Sequence, residues 1–428
     1  MSAVIVVLLL CGLAAPASAQ VEGHVSVLFD VLPDLDRAPG NQQTIELRTR
    51  VFAERRDEFG EHIRLNLAGY IDGLVADRSA LGRLGATGDA IVRPSDLHVE
   101  FATSHFDVRI GASRLVWGRL DEFQPTDVVN PIDLTRFVLE GRSEARLAAG
   151  LIRGRLFLPG SSTIEAVVVP GFRASRFDQL DEASSPFNLA SDAGRIAPAV
   201  VIPVQRDEPP FGRSSMPGGA RFTSTVRRVD WGVSAYRGLR SFPIVTFDAA
   251  AFRLLESFPR FTMLGGDFET VHGPWGVRGE VAVFPEDELQ STRAAVGVRG
   301  KSIEGGVGVD RRAGDYRMAA NVIWSWRAID ASSPVARAFD GDDEVERSDV
   351  SLVVAADRSF ARETRTLRVL TVYDPADATV FARLITAVSV RDNVWLEGSA
   401  GMFAGSSLDT IGRLTRRDFA YARLKVFF

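Results

Sequence analysis

The last ten residues of the chain, Phe419 to Phe428, alternate without interruption between two kinds of side chain. Phe428, Val426, Leu424, Ala422 and Ala420 fall on one side, and Phe427, Lys425, Arg423, Tyr421 and Phe419 on the other. Successive side chains of a strand point to opposite faces, so one face is wholly apolar and the other charged or aromatic. In a water-soluble sheet the apolar face would meet a core and the polar face bulk water. In a closed barrel that crosses a bilayer the same two faces meet lipid and lumen.

The amino-terminal end selects the second arrangement. Residues 3 to 15 form an apolar run too short to span a bilayer as a helix, and Ala17-Ser18-Ala19 follows as a small-residue cleavage site. The expectation is a secretory signal over residues 1–19 and a single barrel domain over 20–428. The signal has no Lys or Arg ahead of its apolar run, a departure from the usual pattern. Cys11 follows three leucines, where a lipid-attachment site would want small residues. It is also the only cysteine, so the expected mature chain has neither disulfides nor thiolate metal sites.

Composition agrees with a barrel. The hydrophobic fraction is 46%, yet no apolar run beyond Ala19 reaches the length of a membrane helix. A net charge of −5 argues against a nucleic-acid partner. Lys301 and Lys425 are the only lysines, and the rest of the positive charge is arginine. Arginine stays charged and pairs with carboxylates in a planar, bidentate way, which suits a lumen of fixed charges. Arginine-favouring base composition in the genome explains the bias as well. No Gly/Ser or Pro-rich linker divides the chain.

Period-two segments separated by alternately short and long connections predict an all-β, transmembrane antiparallel barrel of about 18 strands, with 16 the next choice. The strand number is even because both termini are placed in the periplasm. Short connections fall at 57–60, Ser104, 159–162, 228–230, 273–274, 313–314, near Phe360 and at 392–393. The long ones fall at 31–42, 75–95, 117–144, 174–217, 240–259, 285–300, 328–346 and 404–416, with the short 374–377 connection as the exception. The first strand, Val21 to Asp30, is expected in the barrel, and the segment from Val245 to Leu254 in a loop. Trp324 and Trp326 lie near the outer end of an apolar strand face, where an interfacial aromatic girdle belongs.

Three stretches carry a resemblance. These are Trp117-Gly118-Arg119-Leu120-Asp121, Asp127-Val128-Val129-Asn130-Pro131-Ile132-Asp133, and the strand Gly276-Val277-Arg278-Gly279-Glu280-Val281-Ala282. Here the chain resembles a group of uncharacterised Gram-negative outer-membrane barrels that is itself similar to porins and alginate-export channels. The resemblance implies the barrel architecture and carries no substrate with it.

The 117–144 connection is the best candidate for a segment that folds back into the pore. It contains Arg119, Asp121, Glu122, Asp127, Asp133, Arg136, Glu140, Arg142 and Glu144. The strand before it carries Asp107 and Arg109, and the strand after it Arg146, Arg153 and Arg155. Acids held opposite wall arginines set the radius and the transverse field of a constriction. Asp127 and Asn130-Pro131 are expected to stiffen a turn. Inward folding would also take Val128, Val129, Phe137, Val138 and Leu139 out of water. A structural plug, or a loop packed outside, is the alternative. Asp340, Asp342, Asp343, Glu344 and Glu346 crowd one outward loop without EF-hand spacing, and a solvated acidic loop is the simpler reading. An apolar stretch from Ala197 to Val204 could cross the mouth.

Catalysis has little support. His24, His62, His98, His105 and His272 are scattered, and Gly398-Ser399-Ala400-Gly401 lacks the glycine that a nucleophile elbow needs two residues before its serine. No cofactor or metal site is expected. The leading expectation is an outer-membrane channel for passive diffusion of small hydrophilic or anionic solutes. A plugged transporter or exporter of a hydrophobic or polymeric ligand, for which inward Phe52, Tyr70 and Phe284 would be a sparse track, and a non-conducting structural barrel are the alternatives. The implied partners are outer-membrane lipid and lipopolysaccharide, the barrel assembly machinery through Phe428, and a small solute. Nothing in the sequence marks a flank for oligomerisation, and an oligomer is left open.

Overall fold

The protein, seen in a computed structural model, is described at residues 21–33, 43–78, 86–133, 139, 142–176, 203–210, 216–290, 295–330, 348–405, 411–415 and 417–428. The signal segment, most of the 174–217 connection and the acidic 340–346 loop lie outside these residues.

The chain runs as β1 (Val21–Val31), β2 (Gln43–Phe59), β3 (Ile63–Arg78), β4 (Ala86–Ala102), β5 (Phe106–Ser113), β6 (Ala149–Leu158) and β7 (Ser162–Val168). It continues through β8 (Val204–Asp207), β9 (Gly218–Val226), β10 (Val229–Leu239), β11 (Ile244–Asp248), β12 (Arg253–Ser257), β13 (Arg260–His272) and β14 (Trp275–Gln290). The last third is β15 (Gly297–Ala313), β16 (Tyr316–Ile329), β17 (Ser348–Phe360), β18 (Arg365–Asp374), β19 (Thr379–Arg391), β20 (Val394–Ala404) and β21 (Phe419–Phe427). Eighteen of these form one antiparallel sheet in which each strand pairs with the next, β7 with β9 and β10 with β13 across the excursions. The sheet closes where β1 pairs with β21, from His24 opposite Phe427 to Val31 opposite Ala420. Closure leaves no unpaired edge, which is what a barrel in hydrocarbon requires.

Burial runs opposite to that of a water-soluble protein. Val25, Val27 and Phe29 on β1, Val307 and Val309 on β15, and Leu424 and Val426 on β21 are exposed. On the inward faces Asp30, Glu46, Arg153, Asp267, Glu280 and Arg383 are buried. Charged side chains are seldom buried in soluble proteins unless paired, so the outside here is the apolar phase and the inside the polar one. The C-terminal strand follows its alternation, with Phe419 and Tyr421 buried inside and Leu424, Val426 and Phe428 exposed outside.

One rim is built of tight turns and the other of longer connections, apart from the short β18–β19 turn between Asp374 and Thr379. At the turn rim Gly273 takes a φ of +58°, the left-handed value that the first central residue of a two-residue hairpin turn needs, and Pro274 completes the turn. Asn393, at φ +64°, serves the β19–β20 turn.

Three boundaries differ from the sequence expectation. The barrel strands β4 and β14 extend into segments expected to be loops, 75–95 and 285–300, and each contains a proline. Pro94 sits where the β3–β4 register shifts between Ala68 and Gly69, and Pro285 where the β14–β15 register shifts between Phe284 and Asp287. A bulge tolerates a residue that cannot donate to the ladder, so these prolines interrupt pairing without ending the strand. The strand expected to reach Val116 stops at Ser113, because the chain there turns onto Asn130. The segment from Val245 to Leu254 lies outside the barrel as expected, but it folds with β8 into a separate three-stranded sheet, β11 antiparallel and β8 parallel to β12.

An apolar exterior facing lipid makes a charged substitution there costly. Val307→Arg, at mid-length of β15 and 49% exposed, is expected to lower the unfolding free energy of the barrel in phospholipid vesicles by about 2–4 kcal/mol. On a water-exposed surface the same change would stay within about 0.5 kcal/mol. Denaturant titration of the vesicle-inserted protein distinguishes the two.

Candidate pore-lining site

Between Ser113 and Ala149 the chain leaves the barrel wall and bonds to side chains on the inward faces of strands around the barrel. Its two ends are tied together by Asn130. The Asn130 side-chain oxygen accepts from the Leu115 backbone N–H at 2.7 Å, and its amide donates to the carbonyls of Ser113 and Leu147 at 3.0 and 2.9 Å. The asparagine expected to stiffen its own turn therefore clamps the entry of the segment to its exit.

The next anchor is Glu280 on β14, which is buried. It accepts from the backbone N–H of Arg119 at 2.9 Å, from the N–H of Thr126 at 2.7 Å and from the Thr126 hydroxyl at 2.7 Å. Gly118 makes this approach possible. Its φ is +107°, and a Cβ there would lie 2.7 Å from both carboxylate oxygens of Glu280. Trp117 and Arg119 flank this glycine. Trp117 is buried among Tyr236, Phe261, Phe284, Val129 and Leu151 and donates its ring N–H to Glu165 at 2.6 Å. The Arg119 guanidinium reaches Asp267 at 2.6 Å and Glu269 at 3.1 Å, and Arg221 shares Asp267 at 2.8 Å.

The acids of the segment meet arginines on several strands. Asp121 pairs with Arg278 at 2.6 Å and lies 3.5 Å from Arg317, while Glu122 pairs with Arg368 on β18 at 2.8 Å. Asp127 pairs with Arg146, and Asp133 with Arg93 on β4. The far side is anchored by Arg383 on β19, whose guanidinium donates to the Leu139 carbonyl at 2.9 Å, the Tyr421 hydroxyl at 2.7 Å and Ser399 at 3.0 Å. Leu139 is itself buried among Leu28, Leu32, Phe403, Phe419 and Tyr421. A single helical turn, Arg142–Ala145, precedes the return to the wall.

Of the candidate residues, Arg119 and Asp121 are joined through Glu269 and Arg278, whereas Glu122 with Arg368, Asp127 with Arg146, and Asp133 with Arg93 form separate pairs that hold the same segment. Asp107, Arg109 and Arg153 do not join them. They form their own ladder on the inner wall, where Asp107 binds Arg153 at 3.0 Å and Arg155 at 2.6 Å, and Glu100 binds Arg109 at 2.7 Å. Arg136, Glu140, Phe137 and Val138 lie outside the described residues, as does the Arg142 side chain. Sequence reading missed the partners Arg93, Asp267, Glu269, Arg368 and Arg383. It had only an inward-face period to find them by, and that period marks many arginines alike. Phe284 provides no ligand track, because it is packed beneath Trp117.

Beside the segment lies a cavity of about 750 Å³. It extends from the tight-turn residues Gly314, Asp315 and Ala361 to Asp121, Glu122 and Leu139, along the inner face of β16 to β21. Six arginines, Arg312, Arg317, Arg362, Arg368, Arg383 and Arg423, line it together with six acids, Asp121, Glu122, Asp315, Asp357, Glu363 and Glu397. The lining is thus balanced in charge, with acids and arginines in equal number. Away from this cavity the Trp117 cluster packs against the inner faces of β6, β7, β10, β13 and β14.

Removing the Glu280 carboxylate leaves the Arg119 and Thr126 amides without their acceptor. Glu280→Ala is expected to cut their hydrogen-exchange protection about a hundredfold, the equivalent of about 3 kcal/mol, while the ladder amides of β14 keep theirs. Mass-resolved exchange on the folded barrel reads both.

Comparison with solved structures places the fold. Along 96% of the chain it superposes on a BenF-like porin from Pseudomonas fluorescens Pf-5, covering 98% of that chain with a TM-score of 0.52 at 10% identity. It covers 100% of OccAB3 from Acinetobacter baumannii with a TM-score of 0.54 at 9% identity, and 98% of OccK1 (OpdK) from Pseudomonas aeruginosa with a TM-score of 0.51 at 12% identity. At such identities the likeness establishes the porin-type barrel fold and nothing finer. No curated protein matches the sequence. A family model described as "Protein of unknown function (DUF1302)" matches residues 96–366, a span that contains all three motif stretches. With well over half of its length matched, the chain belongs to the DUF1302 family.

Proposed function

We propose that this protein is an outer-membrane channel through which small hydrophilic solutes, anions among them, diffuse passively, with the segment between Ser113 and Ala149 as its constriction. The observation that carries the reading is a polar, charge-lined cavity inside a closed barrel whose outer surface is apolar. A barrel of this size leaves an aqueous interior unless loops fill it. Here the segment and the Trp117 cluster pack against β6, β7, β10, β13 and β14, and the cavity runs along β16 to β21. Asp121 and Glu122 edge that opening and face Arg278, Arg317 and Arg368, so a permeating ion crosses a transverse field.

The proposal includes export by a leader ending at Ala19, insertion with Phe428 as the assembly signal, and a bilayer of phospholipid and lipopolysaccharide around the exposed band. It assigns no catalysis: Ser399 accepts a bond from Arg383 and serves the wall. A second reading, a plugged transporter, is favoured by the anchoring of the segment at both Glu280 and Arg383, which resists displacement.

Single-channel recording of the refolded protein in planar bilayers separates the readings. The channel reading expects stable ohmic steps. Asp121→Lys and Glu122→Lys are each expected to move the reversal potential in a KCl gradient toward the chloride equilibrium value. A folded barrel that passes no current contradicts the channel and favours the plug.

A further inference from the structure

A second, smaller recess on the inner wall is strongly basic. It is formed by His24 and Ser26 on β1, Arg48 and Arg50 on β2, and Arg423 and Lys425 on β21, and it shares Arg423 with the large cavity. Into it projects Glu144, from the helical turn at the end of the inward segment.

The charges there are divided in a particular way. Arg50 spends one edge of its guanidinium on Asp72, Nε to Oδ1 at 2.7 Å and Nη2 to Oδ2 at 2.9 Å, and turns Nη1 to the Glu144 carboxylate at 3.5 Å. Lys425 is near enough for its charge to act on Glu144. Arg423 lies 3.9 Å from Glu397 through Nη1, and its buried Nη2 makes no hydrogen bond among the described residues. Glu144 itself is 54% exposed and is held by long contacts. The recess is narrow, with about 30 Å³ of free space and Glu144 in its lining.

We propose that this recess is a binding subsite for the carboxylate of a permeating solute and that Glu144 is its tethered surrogate, displaced when the solute binds. The inference rests on the channel reading and deepens it. A bound carboxylate gains Arg50 Nη1, Arg423 Nη2 and Lys425, and the loosely held Glu144 swings toward the open cavity. Binding is therefore weakened by competition, which favours release of the solute over its retention, as conduction requires.

The test uses sodium acetate as the probe, added to the full-length mature barrel carrying chloride current in planar bilayers. Glu144→Gln keeps shape and removes charge, and is expected to lower the half-blocking acetate concentration about threefold, the scale of an exposed ion pair. Lys425→Met is expected to raise it. An unchanged or raised half-blocking concentration in Glu144→Gln, or no change in Lys425→Met, overturns the proposal while the chloride current still upholds the channel. If the wild type passes no current, the channel reading has failed separately. Calorimetric titration of acetate into the detergent-solubilised barrel then reads the subsite alone, with tighter binding in Glu144→Gln supporting it and equal binding overturning it.

Discussion

One carboxylate organises the interior of this barrel. Glu280 stands on a strand where alternation points it inward, into a space that would otherwise be water, and it is buried there only because backbone N–H groups and a hydroxyl of a single segment converge on it. A buried charge without partners is expensive, and amides without acceptors are expensive too. Each settles the other's requirement, so the position of the segment and the burial of Glu280 are one problem with one solution. Gly118, by leaving room for the oxygens, is the condition on which that solution depends.

The remaining contacts follow from this grip. With Gly118 and Thr126 fixed at β14, Trp117 falls onto Phe261 and Phe284, Arg119 onto Asp267, and Asp121 onto Arg278. Arg383 on β19, five strands along the wall from β14, holds the Leu139 carbonyl. Individual surface ion pairs contribute little. These are partly or wholly buried and joined through shared residues such as Asp267 and Arg278, so removing one member leaves its neighbours uncompensated. The result is an interior packed with apolar side chains around Trp117 and open and charged along β16 to β21. The three stretches that carry the family resemblance supply the glycine, the carboxylate, the clamp asparagine and the paired acids, and in the fold they meet at one place.

Much of this was readable in one sequence, and the reasons for the limits are physical. Strand faces follow from alternation, so the inward placement of Arg278 and Glu280 and the outward placement of Leu424 and Val426 were legible. Tight turns such as Gly273-Pro274 announce themselves through backbone chemistry. Strand limits near Pro94 and Pro285 were harder to read, because a proline at a bulge and a proline at a strand end look alike until the register of the neighbouring strand is known. Asp121, Glu122, Asp127 and Asp133 were recognisable as acids seeking arginines. Which arginine each would find was not, since Arg368 lies 246 residues from Glu122 and the partner is chosen by the circumference of the barrel. Asn130 was singled out for its turn chemistry, and its actual work, joining Ser113, Leu115 and Leu147, depends on a chain reversal that no local pattern encodes.

The central claim is that the segment held between Glu280 and Arg383 sets the width of the pore. Its most direct test is the single-channel conductance of a barrel in which residues 118–128 are replaced by a short Gly-Ser linker, compared with the wild type in the same lipid and salt. Before recording, both barrels are checked for the folded, heat-modifiable form. The account expects larger ohmic steps from the shortened protein with the barrel intact. Steps of unchanged size would contradict it and place the constriction elsewhere on the wall.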